Sequence, residues 1–422
     1  MTEQHTTTAV VPLTRNRDYR ILWASQALSM FGTNATFIAY PLLVLGLTGS
    51  PALSGLVLGL SAAAELVAGI PAGALADRWS RKRIMLACEA VQTLTTAGFV
   101  LALWWHLANV AMLLVVAVVL GACESLFRPA ETACLPTLVP AEQVAGAVAG
   151  NAARGYLGNL AGTAAGGFLF ALGRALPFAA NLFAHGASLL ALCFLRLPSR
   201  APAAPAPARD IGREMLDGLR FMWQQRNIRI TSLCAVLLNL FFSAFYIVVV
   251  VLAESRGMSS GEIGVMAAML GVGGILGALA APRLTRILSP YQCIVGVFWT
   301  LTVLTPLAVL VHNGYVMGVL FAAMALLPPA ANTAIISEQL LSTPDELRGR
   351  LSGVLGVLAG AAAAIGPTLG GALTAAVSGA SAVLCCSAGI AVITVLATIS
   401  PTLRHFPRHT ETQPNRRGNP DE

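Results

Sequence analysis

The chain has 422 residues, of which 56% are hydrophobic and 11% charged, with 26 Lys and Arg against 19 Asp and Glu for a formal net charge of +7. Its mean hydropathy is +0.74. So little polar surface cannot clothe a water-soluble globule of this length, and lipid must be the solvent.

Apolar stretches near the twenty-residue length that crosses a bilayer recur along the sequence. In chain order they fall at about 21–47, 52–76, 84–105, 108–130, 144–172 and 176–197, then 229–253, 262–281, 291–311, 314–337, 351–375 and 379–400. Amides in hydrocarbon must find partners within their own segment, and these runs are too long for barrel strands, so each is expected to be a helix. The first run is too long for a cleavable leader and is read as the first span.

Basic residues orient the bundle. Arg15, Arg17 and Arg20 precede the first span, Arg81, Lys82 and Arg83 follow the second, and further arginines flank the middle connection and the C-terminus. Arg174 and Arg256 alone fall on the opposite side. By the positive-inside rule both termini and the central connection are cytoplasmic, in a plasma or inner membrane. The positive charge thus follows membrane topology, and no nucleic-acid partner is expected. The eight cysteines lie within spans without paired metal spacing, so they read as small buried side chains, and neither metal nor cofactor is expected.

The chain divides into residues 1–197, a six-helix half; 198–228, a cytoplasmic linker; 229–400, a second six-helix half; and 401–422, a tail expected to be disordered. Pro198 to Pro207 is an Ala/Pro run. Asp210 to Gln225 spaces Ile211, Met215, Leu219, Phe221 and Met222 among charges, the pattern of an amphipathic helix along the inner membrane surface. A shift of 204 residues carries Gly73-Ala74-Leu75-Ala76 onto Gly277-Ala278-Leu279-Ala280. It also carries Gly162, Gly166 and Gly167 onto Gly366, Gly370 and Gly371. Two halves that start on the same side are parallel repeats about an axis normal to the membrane, an arrangement suited to alternating access.

The connection between the second and third spans supplies Gly73, Asp77, Arg78, Arg81, Lys82 and Arg83 at the spacing of a known signature, with Ser80 where that signature usually has a second glycine. In this it resembles the major facilitator superfamily, and the resemblance extends from Arg20 to about Ser400. The family fold it implies is all-α, with twelve transmembrane helices in two pseudo-symmetric six-helix bundles. It also implies that Asp77 latches onto the start of the eleventh span near Arg348 to Ser352, holding the cytoplasmic side shut. In the second half Ala281 and Pro282 replace Asp77 and Arg78, so the latch is one-sided.

The fifth span carries Gly158, Gly162, Gly166 and Gly167. It resembles the glycine-rich motif of exporters in this superfamily, with Thr163 replacing the motif's proline. The eleventh span carries Gly366, Pro367, Gly370 and Gly371 and keeps that proline. Small residues at four-residue spacing make a flat face for close helix packing.

Ionisable residues within spans are costly and mark function by default. Glu124, Arg128 and Glu131 on the fourth span, Arg154 on the fifth and Glu65 on the second are candidates for coupling proton to substrate movement, and Glu124 and Arg128 share a face at i, i+4. His185, four residues after Asn181, reads as an interhelical hydrogen bond more readily than as a proton relay. The family resemblance assigns the cavity wall to the first, fourth, seventh and tenth spans. It thereby nominates Asn34, Asn239, Phe242, Tyr246 and Asn332, whose amides and aromatic faces suit an amphipathic organic molecule.

A membrane enzyme would need a clustered nucleophile or metal set, and an ATP-driven pump a phosphate loop. Neither pattern is present in the sequence, whose one lysine is Lys82. The sequence points to a monomeric secondary carrier embedded in lipid, exporting drug-like compounds, siderophores or secondary metabolites against protons. Import or uniport within the same superfamily is the alternative.

Overall fold

In the computed structural model, residues 12–197 and 211–404 are described, apart from the side chains at positions 73, 74, 76–78, 141, 145, 211, 340, 341, 345 and 346. The Ala/Pro run and the tail beyond residue 404 lie outside these residues. The first half comprises α1 (Arg17–Thr48), α2 (Pro51–Arg78), α3 (Arg81–Trp104), α4 (Val110–Leu138), α5 (Ala141–Leu172) and α6 (Leu176–Cys193). After the linker helix α7 (Ile211–Gln224) come α8 (Arg226–Ser255), α9 (Ser260–Ile287), α10 (Pro290–Leu307), α11 (Gly314–Ala325), α12 (Pro328–Ser342), α13 (Asp345–Ala376), α14 (Gly379–Ile399) and the short α15 (Pro401–Arg404). Eleven segments among the described residues are long and apolar enough to cross a membrane, α11 and α12 counting as one. The 32-residue α5, diluted by Asn151, Arg154 and Asn159, is the twelfth rod of the bundle and packs between α1 and α9.

Local chemistry sets the ends. Gly49 closes α1 at φ 65, and two residues later Pro51 begins α2 under the Ser50 cap, a reversal that a residue with a Cβ would resist. Ser259 and Ser289 each form a capping box, with Glu262 and Gln292. Asn16 caps α1 and donates to the Leu138 carbonyl at 2.7 Å, fixing the start of α1 to the end of α4.

Two expectations change. The tenth span is not one helix: Pro328 and Pro329, lacking N–H groups, break it at Leu326 and Leu327 into α11 and α12. The amphipathic helix has a protein partner as well as a free side. Met222 of α7 is buried against Ile228, Leu351 and Val354, while Leu216 and Trp223 remain exposed.

The halves meet through α2 on α13 and α5 on α9. At one end they interlock. Gly55 abuts Gly371 and the Pro367 carbonyl, Gly167 lies on Gly264, Ile38 and Leu42 of α1 enter the second half's core, and Ile247 enters the first's. Toward the other end, which carries Arg17, the α2–α3 turn and α7, the helices diverge. Gly349, Gly353 and Gly356 of α13 have open space where a Cβ would point, and a cavity of about 320 Å³ separates them from Leu66, Gly69 and Ile70 of α2.

Candidate functional site

The helix of α2 runs through Arg78, so the turn into α3 is only Trp79 and Ser80. The two basic residues that follow are bound to helix ends. Arg81 donates through Nη1 to the Ala133 carbonyl near the end of α4, and Lys82 Nζ donates to the carbonyls of Cys193 at 3.0 Å and Leu195 at 2.6 Å, capping α6. Cations at carbonyl-rich helix ends are favourably placed, so the turn clamps three helices of one half. Arg83 is exposed. Gly73 contributes only backbone to this signature, and the side chains of Asp77 and Arg78, which the latch would use, lie outside the described residues. Within the segment expected to receive it, Arg350 Nη1 contacts Asp217 Oδ2 of α7 at 2.9 Å.

The candidate ionisable residues separate into two groups. Arg128 Nη2 lies 3.6 Å from Glu124 Oε1 and 3.8 Å from Glu65 Oε1 of α2, with side chains 64%, 30% and 45% exposed in that order. On α4, Gly121 and Ser125 face α2, Glu131 faces α5, and Val115 is exposed on the outer surface. At 100° per residue Arg128 sits about 140° round the axis from Val115, between the faces that meet α2 and α5, so the triad opens into the cleft between the halves. The second group is sealed. Arg154 Nη2 bonds Glu131 Oε1 at 2.6 Å, with both side chains nearly buried and Asn151 Oδ1 at 3.4 Å from Nη1.

Across the cleft, Asn239 and Phe242 of α8, Asn332 of α12, Leu270 of α9, Phe298 of α10 and Tyr156 of α5 line a cavity of about 330 Å³. The helix break at Pro328 and Pro329 forms part of its wall. Asn34 and Tyr246 are placed elsewhere. Asn34 accepts from Asn159 Nδ2 at 3.0 Å and donates to the Met30 carbonyl at 2.7 Å, tying α1 to α5. Tyr246 packs its ring against Phe37 of α1 at 5.9 Å and Phe321 of α11 at 6.1 Å, joining the halves at their interlocked end.

The glycine motifs serve two contacts each. Gly158, Gly162 and Gly166 bring α5 onto Met30, Phe31 and Ala35 of α1, and Gly366 and Gly370 bring α13 onto Leu240, Ser243 and Ala244 of α8. The adjacent glycine then faces the opposite half: Gly167 meets Gly264, and Gly371 meets Gly55 and the Pro51 carbonyl. Pro367 exposes its carbonyl to Gly55 in that same contact.

Sequence reading passed over Glu89. It lies completely buried in α3, bonded to His185 and Ser188 of α6. The available signal was an acidic residue within an apolar span and a histidine in another.

A family model described as a transmembrane secretion effector matches residues 7–420. The multidrug efflux pump Tap of Mycolicibacterium fortuitum is 29% identical over 397 residues, covering 89% of this chain and 93% of that protein. The enterobactin exporter EntS of Shigella boydii serotype 4 is 26% identical over 403 residues, covering 94% of each. Among solved structures, a bacterial homologue of the human lysosomal transporter Spinster, inward-facing and unoccupied, superimposes with a TM-score of 0.73 at 16% identity over 93% of this chain and 98% of that one. An inward-facing bacterial homologue of the iron transporter ferroportin gives 0.69 at 15% identity over 92% and 99%.

Proposed function

The chain belongs to the transmembrane secretion effector family of major facilitator transporters, and from that premise we propose that it exports an amphipathic organic compound, drug-like or siderophore-like, in exchange for protons. The relatives' names, a multidrug pump and a siderophore exporter, support the substrate class. The observation that carries the coupling is the Glu65–Arg128–Glu124 triad. One guanidinium stands between two carboxylates on the cleft wall, facing a half whose cavity offers amides and aromatic rings.

With both termini cytoplasmic, as the basic residues favour, the interlocked end is the outer one and the present state is open inward. Substrate enters beside α2 and α13 and lodges against Phe242, Asn239 and Asn332. A carboxylate of the triad that has released Arg128 can take up a proton when the cleft opens outward and yield it when the cleft opens inward, while Arg128 pairs with the other carboxylate. Two acids sharing one base allow this exchange without leaving the arginine unpaired. The Asp77 latch belongs to the outward-open state, in which α2 and α13 approach at the cytoplasmic end.

Vesicles carrying the purified protein and an imposed pH gradient test this with ethidium, an aromatic cation. The gradient should drive ethidium transport, and Glu65→Gln or Glu124→Gln should lower the driven rate more than about tenfold. Gradient-independent movement, or full activity in both variants, would overturn the coupling.

A further inference from the structure

The first half encloses a polar seam separate from the triad. Ser29 of α1, Glu89 and Thr96 of α3, and Asn181, His185 and Ser188 of α6 are each at most 4% exposed. Glu89 Oε2 lies 2.7 Å from His185 Nδ1, Ser188 Oγ donates to Glu89 Oε1 at 2.9 Å, and Ser29 Oγ is 3.2 Å from His185 Nδ1. Among the described residues, His185 Nε2, Thr96 Oγ1 and both side-chain polar atoms of Asn181 have no hydrogen-bond partner.

A helix contact does not require this chemistry. A carboxylate and an imidazole with no exposure are expensive inside a lipid-embedded bundle, and an amide pair would hold α3 to α6 without that burden. When Nδ1–H donates to the carboxylate, the neutral ring presents the lone pair of Nε2, the atom left without a partner. In that form the seam holds one buried negative charge and one vacant acceptor. Adding one proton neutralises it, whether the result is carboxylate with imidazolium or carboxylic acid with imidazole.

The charged surroundings are few. From α4, Glu124 lies within electrostatic reach of both Glu89 and His185, and the thiols of Cys88 and Cys123 face each other beside it. Ser25, Gln26 and Ser29 of α1 carry no charge. Lys82 sits farther along, at the end of α6, and Arg154 of α5 is engaged by Glu131. Glu124 is also the partner of Arg128, so it touches the cleft and senses the seam.

We propose that Glu89 and His185 form a buried proton-binding site in the first half, which stores the coupling proton and exchanges it with the cleft through Glu124. The site takes one proton from water in the cleft and returns it to water; an N–H or O–H bond forms and breaks, and no other covalent change occurs. This assignment rests on the proton-coupled reading above.

Infrared spectroscopy of the full chain in lipid bilayers, titrated with pH, tests the site without any substrate. The wild type should show a titrating component, carboxyl or imidazolium, that Glu89→Gln removes while the signals of Glu65 and Glu124 remain, and His185→Gln should displace the titration of that component by about one pH unit or more. Should Glu89→Gln not fold, Ser188→Ala removes a donor to the same carboxylate and must move the titration to higher pH. If every titrating band is unchanged in Glu89→Gln, or the Glu89-dependent component is unmoved in both His185→Gln and Ser188→Ala, the proposal is overturned.

Ethidium transport in vesicles separates the two ideas. If the pH gradient drives the wild type and His185→Gln loses more than about tenfold, the pair serves coupling. If the gradient drives both alike, the stored proton is not the coupling proton. If it drives neither, proton coupling itself fails while the infrared titration still decides whether the pair binds a proton.

Discussion

Each buried charge among the described residues has an opposite charge or a donor at hand, and the degree of burial separates structure from transport. Arg154 and Glu131 join α5 to α4 beside Tyr19 and have almost no access to the cleft. Removing one partner strands the other, so Arg154→Met should destabilise the first half by about 3–5 kcal/mol, whereas Arg154→Met with Glu131→Leu should recover most of that loss. Chemical unfolding in detergent measures both. If the double variant is no more stable than the single one, the pair has a role beyond mutual neutralisation. Arg128, 64% exposed, differs in kind: its partners are solvated enough to exchange, and its replacement should impair transport far more than stability.

Among elements, α5 and α13 carry the most architectural information. Each uses glycines four residues apart to sit on the first helix of its own half, where an alanine carbonyl, Ala35 or Ala244, fills the place of a Cβ. Each then presents one more glycine to the opposite half. Gly167→Val would drive its side chain into Gly264 and the Ser260 carbonyl, and backbone cannot yield as a side-chain tip can. The interlocked end should therefore fail to close. Spin labels at Thr48 and Ser255 should report a longer distance, and transport should fall more than about tenfold. Gly353→Ala, with open space around that position, should leave this distance unchanged. An unaltered distance in Gly167→Val would show that the seal lies elsewhere.

For the whole molecule, α7 makes the linker part of the moving structure. It follows the first half in sequence yet packs its Gly218 and Met222 face on α13 of the second half and holds Arg350 through Asp217. A swing of α13 must carry α7 with it or break that ion pair. Asp217→Arg should slow transport by about threefold or more, and Asp217→Arg combined with Arg350→Asp should restore it, as expected for two residues coupled by direct contact. Equal loss in the single and double variants would mean that the ion pair does not take part in the cycle.

The sequence by itself determined the solvent, the helical spans and the pairing of two halves, because each is written locally in long apolar runs, loop charges and glycine spacing. It also contained the proline pair that divides α11 from α12, although span-length reasoning joined them. The tertiary structure alone decided which charges meet. Arg154 pairs with Glu131 and not with the triad, Arg128 draws in Glu65 from another helix, and Glu89 finds His185 across nearly a hundred residues. The physical reason is that lipid and protein interior are both apolar, so a span's sequence scarcely records its rotation about its own axis. That rotation, fixed by small residues locking neighbouring helices together, selects each polar side chain's partner.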